Sequence, residues 1–367
     1  MFDLFSPKGY NANMKKKICC FLAALFLCVP LAGCNAPQYT GKTFLYFNAP
    51  VTVQIDSRNL SKARLNEIFS DAEQILADVH ERTDAKNPNS VAARFNALPA
   101  GDVLELDELS EDIVMKALSY YEYTRGYFNI LIAPLIDLWG FSPDKYDAED
   151  YEFLPPTAEE IQNVLPLLEK DNVVLEDNLL KKIKNASIDF GGMAKGYALQ
   201  KVREYLETQG IIYGIISGGS SSIELMKYKQ NQSFVLGVKH PRGTAETPPI
   251  IEMNAQNAAA STSGDYERFY EYENERYSHL LDPFTGRPIN DGTMSVTAIG
   301  KDGALCDALS TALCAMGYEK AKTFIKNYDD LTVFILYTEN GQNYIYTNAP
   351  QNSFTVNDDS FRIETAE

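Results

Sequence analysis

The chain has 367 residues, with 33 Lys and Arg against 50 Asp and Glu, a formal net charge of −17 and 45% hydrophobic residues. That acidity argues against a nucleic-acid partner, and it means that any polyphosphate ligand must find local cations or a metal. Cysteine is sparse, and Cys19, Cys20, Cys28 and Cys34 all crowd the amino terminus, which excludes a disulfide framework for the body of the protein.

At the amino terminus Lys15, Lys16 and Lys17 precede an uncharged apolar run, Ile18 to Ala32. This is the order of a signal peptide. The run has 15 residues, short of the roughly 20 that a membrane-spanning helix needs. Leu31-Ala32-Gly33-Cys34 resembles a lipobox, which predicts cleavage before Cys34 and acylation of that cysteine; an ordinary secretory signal is the alternative. Met14 directly precedes the basic cluster and can serve as the start, leaving residues 1–13 as an upstream extension. The expectation is a signal peptide over 1–33, a tether over 34–42, and a protein exported and lipid-anchored to a bacterial membrane on its periplasmic or extracytoplasmic face. Loss of Asp3, Lys8 and Lys15 to Lys17 leaves 29 basic and 49 acidic side chains, a net charge of −20.

The remaining 334 residues show no internal repeat and no low-complexity linker. They predict one large mixed α/β domain over 43–350, of the α+β class and with room for two lobes, followed by a polar, loose tail over 351–367. Val51 to Ile55 reads as a strand. Leu65, Ile68, Phe69, Ala72, Ile75, Leu76 and Val79 follow helical spacing behind a Ser61 cap. Residues 143–157 form a Pro-, Asp- and Glu-rich excursion, and Thr157 with Glu160 makes a capping box ahead of Ile161. Further strands are expected over Ile211 to Ser217, Phe234 to Lys239, Ser295 to Ile299 and Leu331 to Tyr337. Cys306 and Cys314 lie eight apart in a predicted helix, about 12 Å along its axis, and so cannot bond each other.

Four segments are richer in Gly, Asp, Ser and Thr than packing requires. Ile188 to Tyr197, IDFGGMAKGY, places a strand end at Asp189, a Gly191-Gly192 turn and then a helix carrying Lys195. Free N–H groups and a cation there suit an anion, though a plain strand-to-helix turn with Asp189 as its cap fits equally well. The spacing is not that of a Walker loop. Ile216 to Ile223, ISGGSSSI, lets backbone approach a ligand at Gly218 and Gly219, or is simply a tight turn. Ser261 to Pro288 opens with STSG and holds His279, flanked by Ser278, Asp282, Thr285 and Gly286, which is unusual company for a core histidine. Cys306 to Gly317, CDALSTALCAMG, sets Asp307 and Thr311 four apart on one helical face. A carboxylate and a hydroxyl so placed can hold Mg2+ with water and phosphate oxygens, or serve as a helix cap.

In type, order and spacing these segments resemble the ApbE-type FAD:protein FMN transferases, whose motifs read D-(L/F)-G-G-x-A-K-G-Y, G-G, T-S-G-x-Y, Y-S-H-x-x-D-P-x-T-G-x-P and A-D-A-x-(S/T)-T-A. Gly126 to Phe141, GYFNILIAPLIDLWGF, resembles the G-x-F-D…P-L…W-G-F stretch of that family. Asn87 to Ser90 with Arg94, Phe95 and Asn96 resembles its D-P-x-S…R-x-N. The resemblance covers nearly the whole mature chain and implies an ApbE, T-fold-like architecture. It further implies that Asp189 and Lys195 contact FAD, together with the backbone near Tyr127, Phe128, Asn129 and Leu281. Mg2+, or Mn2+ in its place, would be held by the Gly192 carbonyl, Asp307 and Thr311, with Ser310 as a further ligand. His279 would assist deprotonation of an acceptor hydroxyl, making it and Asp307 the catalytic residues. The implied reaction moves FMN from FAD to a threonine or serine hydroxyl of an acceptor flavoprotein and releases AMP. Such acceptors carry a D-G-A-T-type segment, as in redox-driven pump subunits. Asn129 and Lys86 depart from the family, which commonly has Asp and an aromatic residue there. An FAD-binding lipoprotein or an FAD pyrophosphatase releasing FMN and AMP would use the same site, whereas a solute-binding lipoprotein accounts for the composition but not the motifs.

Overall fold

The computed structural model describes residues 38–228, 232–244, 246–326, 328 and 330–366. The expected signal peptide, Cys34 and the first part of the tether lie outside them. No helix among the described residues is long and apolar enough to cross a membrane.

The chain enters on a hairpin of β1 (Tyr39–Tyr46) and β2 (Ala49–Asp56), paired from Tyr39↔Asp56 to Tyr46↔Ala49. Residues 39–42 therefore belong to a strand and not to the expected tether. Buried Val51, Val53 and Ile55 alternate along β2 with half-buried neighbours, the period of a strand covered on one face. The helix α1 (Lys62–Thr83) starts at Ser61, whose side chain accepts the Arg64 N–H, and it buries Ile68, Phe69, Ala72, Leu76 and Val79 as the spacing predicts. Next come α2 (Val91–Ala97), β3 (Val103–Glu105), α3 (Glu108–Tyr123), α4 (Ala133–Leu138), α5 (Pro143–Tyr146) and α6 (Ala158–Val164), the last with both halves of the Thr157–Glu160 capping box. A small sheet is then completed by β4 (Val173–Glu176) and β5 (Leu179–Lys182).

The second half runs through α7 (Ala194–Thr208), β6 (Gly214–Gly218), β7 (Ser222–Leu225), β8 (Phe234–Val238), β9 (Ile251–Ala255) and β10 (Ala258–Gly264). It continues with the hairpin β11 (Phe269–Tyr272) and β12 (Glu275–Ser278), the short pair β13 (Leu281–Asp282) and β14 (Arg287–Pro288), and β15 (Thr293–Gly300). The chain closes with α8 (Gly303–Met316), α9 (Tyr318–Ile325), β16 (Thr332–Glu339), β17 (Gln342–Thr347), β18 (Phe354–Val356) and β19 (Phe361–Thr365). The strand expected from Ile211 begins instead at Gly214, because the Ile211 N–H is taken by the Leu206 carbonyl at the end of α7.

Nine strands form one sheet, ordered β1-β2-β6-β7-β10-β15-β16-β17-β19, and every neighbouring pair is antiparallel except β17 with β19. Helices α1, α7, α8 and α9 pack on one face, while the three-stranded sheet β18-β9-β8 covers part of the other. This is a mixed α+β fold. In place of the loose tail that polarity predicts over 351–367, residues 351–366 carry structure: β18 pairs with β9, β19 with β17, and Phe354 and Phe361 are buried in the second face. The excursion over 143–157 is a strap whose Phe153 stacks on Tyr270 with ring centroids 4.3 Å apart. Cys306 and Cys314 are buried, free thiols.

Candidate active site

The turn at Asp189 is held from behind by α2. The Asn96 side-chain amide donates to the Ile188 carbonyl at 3.0 Å, and its oxygen accepts the Ile188 N–H at 2.7 Å. The Lys182 ammonium, fully buried, donates to the Phe95 and Asn96 carbonyls at 3.2 and 3.0 Å and lies 5.3 Å from the Phe95 ring centre. The Asn96 carbonyl at the end of α2 is thereby met and the Phe95 carbonyl gains a second donor beside the Leu98 N–H, while burial pushes the lysine pKa down. Beyond this clamp, the Asp189 N–H donates to the Ile130 carbonyl, and its Oδ1 accepts the Gly191 N–H at 2.7 Å. Burial raises the Asp189 pKa, and the Gly191 bond and the Arg268 cation counter that rise.

From Gly192 the chain turns into α7, and here α7 meets α8. A Cβ at position 196 would stand 2.3 Å from the Gly303 carbonyl oxygen and 2.7 Å from Asp307 Cβ, so only glycine allows the two helices to approach this closely. The Gly196 N–H, one of the first donors of α7 and so without an acceptor inside the helix, donates to Asp307 Oδ2 at 2.8 Å. Among the described residues no backbone N–H donates to the Gly192 carbonyl. Thr311 Oγ1 lies 3.4 Å from where a Cβ on Gly192 would sit, and the edge of the Phe128 ring 3.2 Å from it.

Asp307 is 8% exposed. Its Oδ1 accepts the Ser222 hydroxyl at 3.2 Å. Burial raises its pKa, against the lowering effects of Lys195, the Gly196 N–H, Ser222 and Ser261. The Lys195 ammonium donates to the Ser221 hydroxyl, and its methylenes pack 2.9 Å from where a Cβ on Gly218 would be. Ser263 bonds both Ser310 (2.9 Å) and Thr311 (3.2 Å), whose hydroxyls also donate to the Asp307 carbonyl. Ser310 is fully buried behind Thr311. The α8 face of the sheet thus gathers Gly192, Lys195, Asp307 and Thr311 at one place.

His279 stands at the end of the β11–β12 hairpin, half-buried. Its Nδ1 lies 3.1 Å from the Arg268 carbonyl. A carbonyl only accepts, so Nδ1 carries the proton and Nε2 keeps a free lone pair. Burial, with the Arg268 cation second, pushes the His279 pKa down to about 3. The hairpin is braced by the WGF stretch: the Tyr270 hydroxyl donates to the Gly140 carbonyl (2.7 Å), Trp139 Nε1 to the Gly286 carbonyl (2.8 Å), and the Phe141 ring centre is 6.3 Å from that of His279. No hydrogen bond among the described residues joins His279 to the Asp307 group; Arg268, whose charge acts on both His279 and Asp189, is the link between the two halves.

The other expected contacts are distributed unevenly. Phe128 abuts Gly192. The Tyr127 hydroxyl accepts from Lys320 at 2.9 Å, and its ring is 4.8 Å from Phe284. Asn129 is buried with its side chain already used, accepting the Leu131 N–H and donating to the Leu168 carbonyl. Leu281 is buried in the aromatic cluster around Trp139 and Tyr270. Lys86 pairs at the surface with Asp147 at 3.4 Å. Sequence reasoning missed Arg268 and Lys182, which belong to no motif, and it passed over Ser221, Ser222 and Ser263, which stand inside segments quoted for their glycines.

Among the described residues no group of three His, Cys, Asp or Glu could hold a metal. The donors that do converge are one carboxylate, one hydroxyl and a carbonyl that accepts no backbone N–H among the described residues. The Asp307 carboxylate accepts from the Gly196 N–H, Ser222 and Ser261, fewer bonds than its four lone pairs. That oxygen set fits an ion of the Mg2+ kind, which uses few protein ligands and completes its shell with water and phosphate.

A family model described as "ApbE family" matches residues 47–335. The FAD:protein FMN transferase of Vibrio cholerae is 28% identical over 332 residues, covering 88% of this chain and 95% of its own. That of Haemophilus influenzae is 24% identical over 336 residues, covering 89% and 95%. Among solved structures, the apo form of the flavinyl transferase ApbE of Pseudomonas stutzeri superposes with a TM-score of 0.74 at 24% identity, covering 86% of this chain and 96% of that one. The ApbE protein of Thermotoga maritima gives 0.72 at 27%, covering 82% and 94%.

Proposed function

Because the chain belongs to the ApbE family, we propose that it is an FAD:protein FMN transferase that moves the FMN moiety of FAD to a threonine or serine hydroxyl of an acceptor flavoprotein and releases AMP, with Mg2+ or Mn2+ at Gly192, Asp307 and Thr311. The observation that carries this reading is the meeting of Asp307, its carboxylate oriented by the Gly196 N–H and Ser222, with Thr311 and with a Gly192 carbonyl that accepts no backbone N–H among the described residues.

When bound, the ion supplies positive charge against the bridging and leaving oxygens of the pyrophosphate. The Gly196 N–H and Ser222 hold the Asp307 carboxylate in one orientation. Lys195, steadied by Ser221, adds a second positive charge, which a protein so acidic overall must supply locally. The Phe128 ring keeps water from the Gly192 side. His279 offers Nε2 as an acceptor that orients the attacking hydroxyl. Its low pKa keeps it neutral, so it receives the proton only as the new O–P bond develops. Export and acylation at Cys34 complete the proposal and set the enzyme at a membrane surface with its acceptor.

The test is to incubate the chain with FAD, Mg2+ and an acceptor domain bearing an Asp-Gly-Ala-Thr segment, then weigh the acceptor. A mass gain equal to FMN is expected. Free FMN and AMP with an unmodified acceptor would replace transfer by hydrolysis, and FAD recovered intact would leave a binding protein.

A further inference from the structure

Transfer to a protein needs a second substrate, and Lys195 and the residues proposed for the ion lie on the α8 face of the sheet. The opposite face carries a small open cleft of about 100 Å3 at the same end of the sheet, between the turn joining β6 to β7 and the strand β8. The alternation of β10 separates the two sides: Ser263 bonds Thr311 on the α8 side, whereas Thr262 points the other way and bonds Thr297 at 2.8 Å across the cleft floor. Ser221 serves both sides, since it lines the cleft and accepts the Lys195 ammonium.

Resting on the transfer reading above, we infer that the acceptor binds in this cleft as an extended segment added to the free edge of β8, from which its hydroxyl reaches Lys195 over the Gly219–Ser222 turn. The first support is backbone. Leu236, Gly237 and Val238 line the cleft consecutively, so the edge of the strand faces it and not one row of side chains. β8 ends the order β18-β9-β8, and no described strand pairs with its other side. The Val238 carbonyl accepts the Ile250 N–H on the β9 side, so by alternation the N–H and C=O of exposed Gly237 turn outward. Such an edge is a ready template for an added strand, with main-chain bonds supplying affinity.

The second support is the wall. Ser217, Ser220, Ser221, Thr262 and Thr297 give short hydroxyls and leave room for a chain of small residues. Among the described residues no Lys or Arg lines the cleft, which disfavours a phosphate-bearing ligand, and no Asp or Glu lines it to repel the one carboxylate of an Asp-Gly-Ala-Thr segment, whose small residues leave it as the occupant.

Two perturbations test this without touching the ion site. Ser220 lies exposed on the turn, so Ser220→Trp can fill the cleft while the core stays intact. The acceptor segment can also be made as a synthetic peptide with alternate backbone nitrogens methylated. The expected result is at least a tenfold rise in KM for the acceptor with Ser220→Trp at unchanged FAD affinity, and a comparable loss of binding for the methylated peptide measured by fluorescence anisotropy. An unchanged acceptor KM with full binding of the methylated peptide would overturn the inference, as would a parallel loss of FAD affinity in the variant. Anisotropy reads docking even if the wild-type chain hydrolyses FAD without transferring FMN, so failure of the transfer reading is distinguished from failure of the docking surface.

Discussion

Asp307 faces one ammonium and several neutral donors, and it is the sole carboxylate among the proposed ion ligands. Asp307→Asn preserves size and the option of hydrogen bonding while removing the charge. FAD turnover should fall by about 10²–10³, the scale of losing one electrostatic stabiliser of a transition state, while the thermal midpoint changes little; steady-state kinetics beside a melting curve checks both. His279 makes a sharper pH statement. An imidazole at its ordinary value near 6.5 would begin to protonate below neutrality and take activity with it. With its pKa pushed down to about 3, His279 remains neutral from pH 8 to pH 5, so kcat/KM should lack a limb near 6.5 that His279→Gln abolishes. The linkage to stability has a definite sign: between about pH 3 and 6.5 the unfolded chain binds more protons at this position than the folded one. The native state therefore loses stability as pH falls through that window, and His279→Gln should soften the loss.

At the scale of elements, the site depends on contacts between segments far apart in sequence. Asn96 reaches Ile188 across 92 positions, and Lys182 holds the end of the helix that carries Asn96. Lys182→Met leaves the Asn96 carbonyl without its Lys182 donor, the Phe95 carbonyl keeping the Leu98 N–H, and should cost about 1–3 kcal/mol of stability. Asn96→Ala keeps α2 but frees the Asp189 turn, so the KM for FAD should rise several-fold more than kcat falls, with Asn96→Gln restoring little because the amide is displaced. Gly196→Ala tests the crossing of α7 and α8: its methyl meets backbone at 2.3 Å, and overpacking of this kind costs about 1–3 kcal/mol, readable by urea denaturation. What was legible in sequence at this scale was local. Ser61 and the Thr157–Glu160 box act within four residues and could be read directly. β18 was illegible because its partner lies far off, Met253 for Phe354, and β19 because it joins β17 in parallel across a polar connection rather than through a hairpin turn.

For the molecule as a whole, the alternation of helical and strand spacing announced the α+β class but not how nine strands are ordered, since strand order follows from which faces bury together. The four polar segments were each ambiguous alone, and the structure shows where they meet: β7, α7, α8 and, through Ser261 and Ser263, β10 converge on Asp307 and Thr311, the two helices drawn together at Gly196, a residue whose only message in sequence is the absence of a side chain. The strand β1 beginning at Tyr39 carries a further consequence for where such an enzyme can work. With Cys34 acylated, only Asn35 to Gln38 separate lipid from folded protein, a leash of at most about 18 Å at full extension, from 3.3–3.6 Å per residue. An enzyme anchored as proposed would have its working radius set by the anchor rather than by diffusion, serving acceptors that present their hydroxyl within its reach of the bilayer and not those held farther out. Cys34→Ser should release the protein from the membrane fraction, and a twenty-residue Gly-Ser insert after Gln38 should extend labelling to acceptors mounted on taller stalks, read as the flavin fluorescence of each acceptor band.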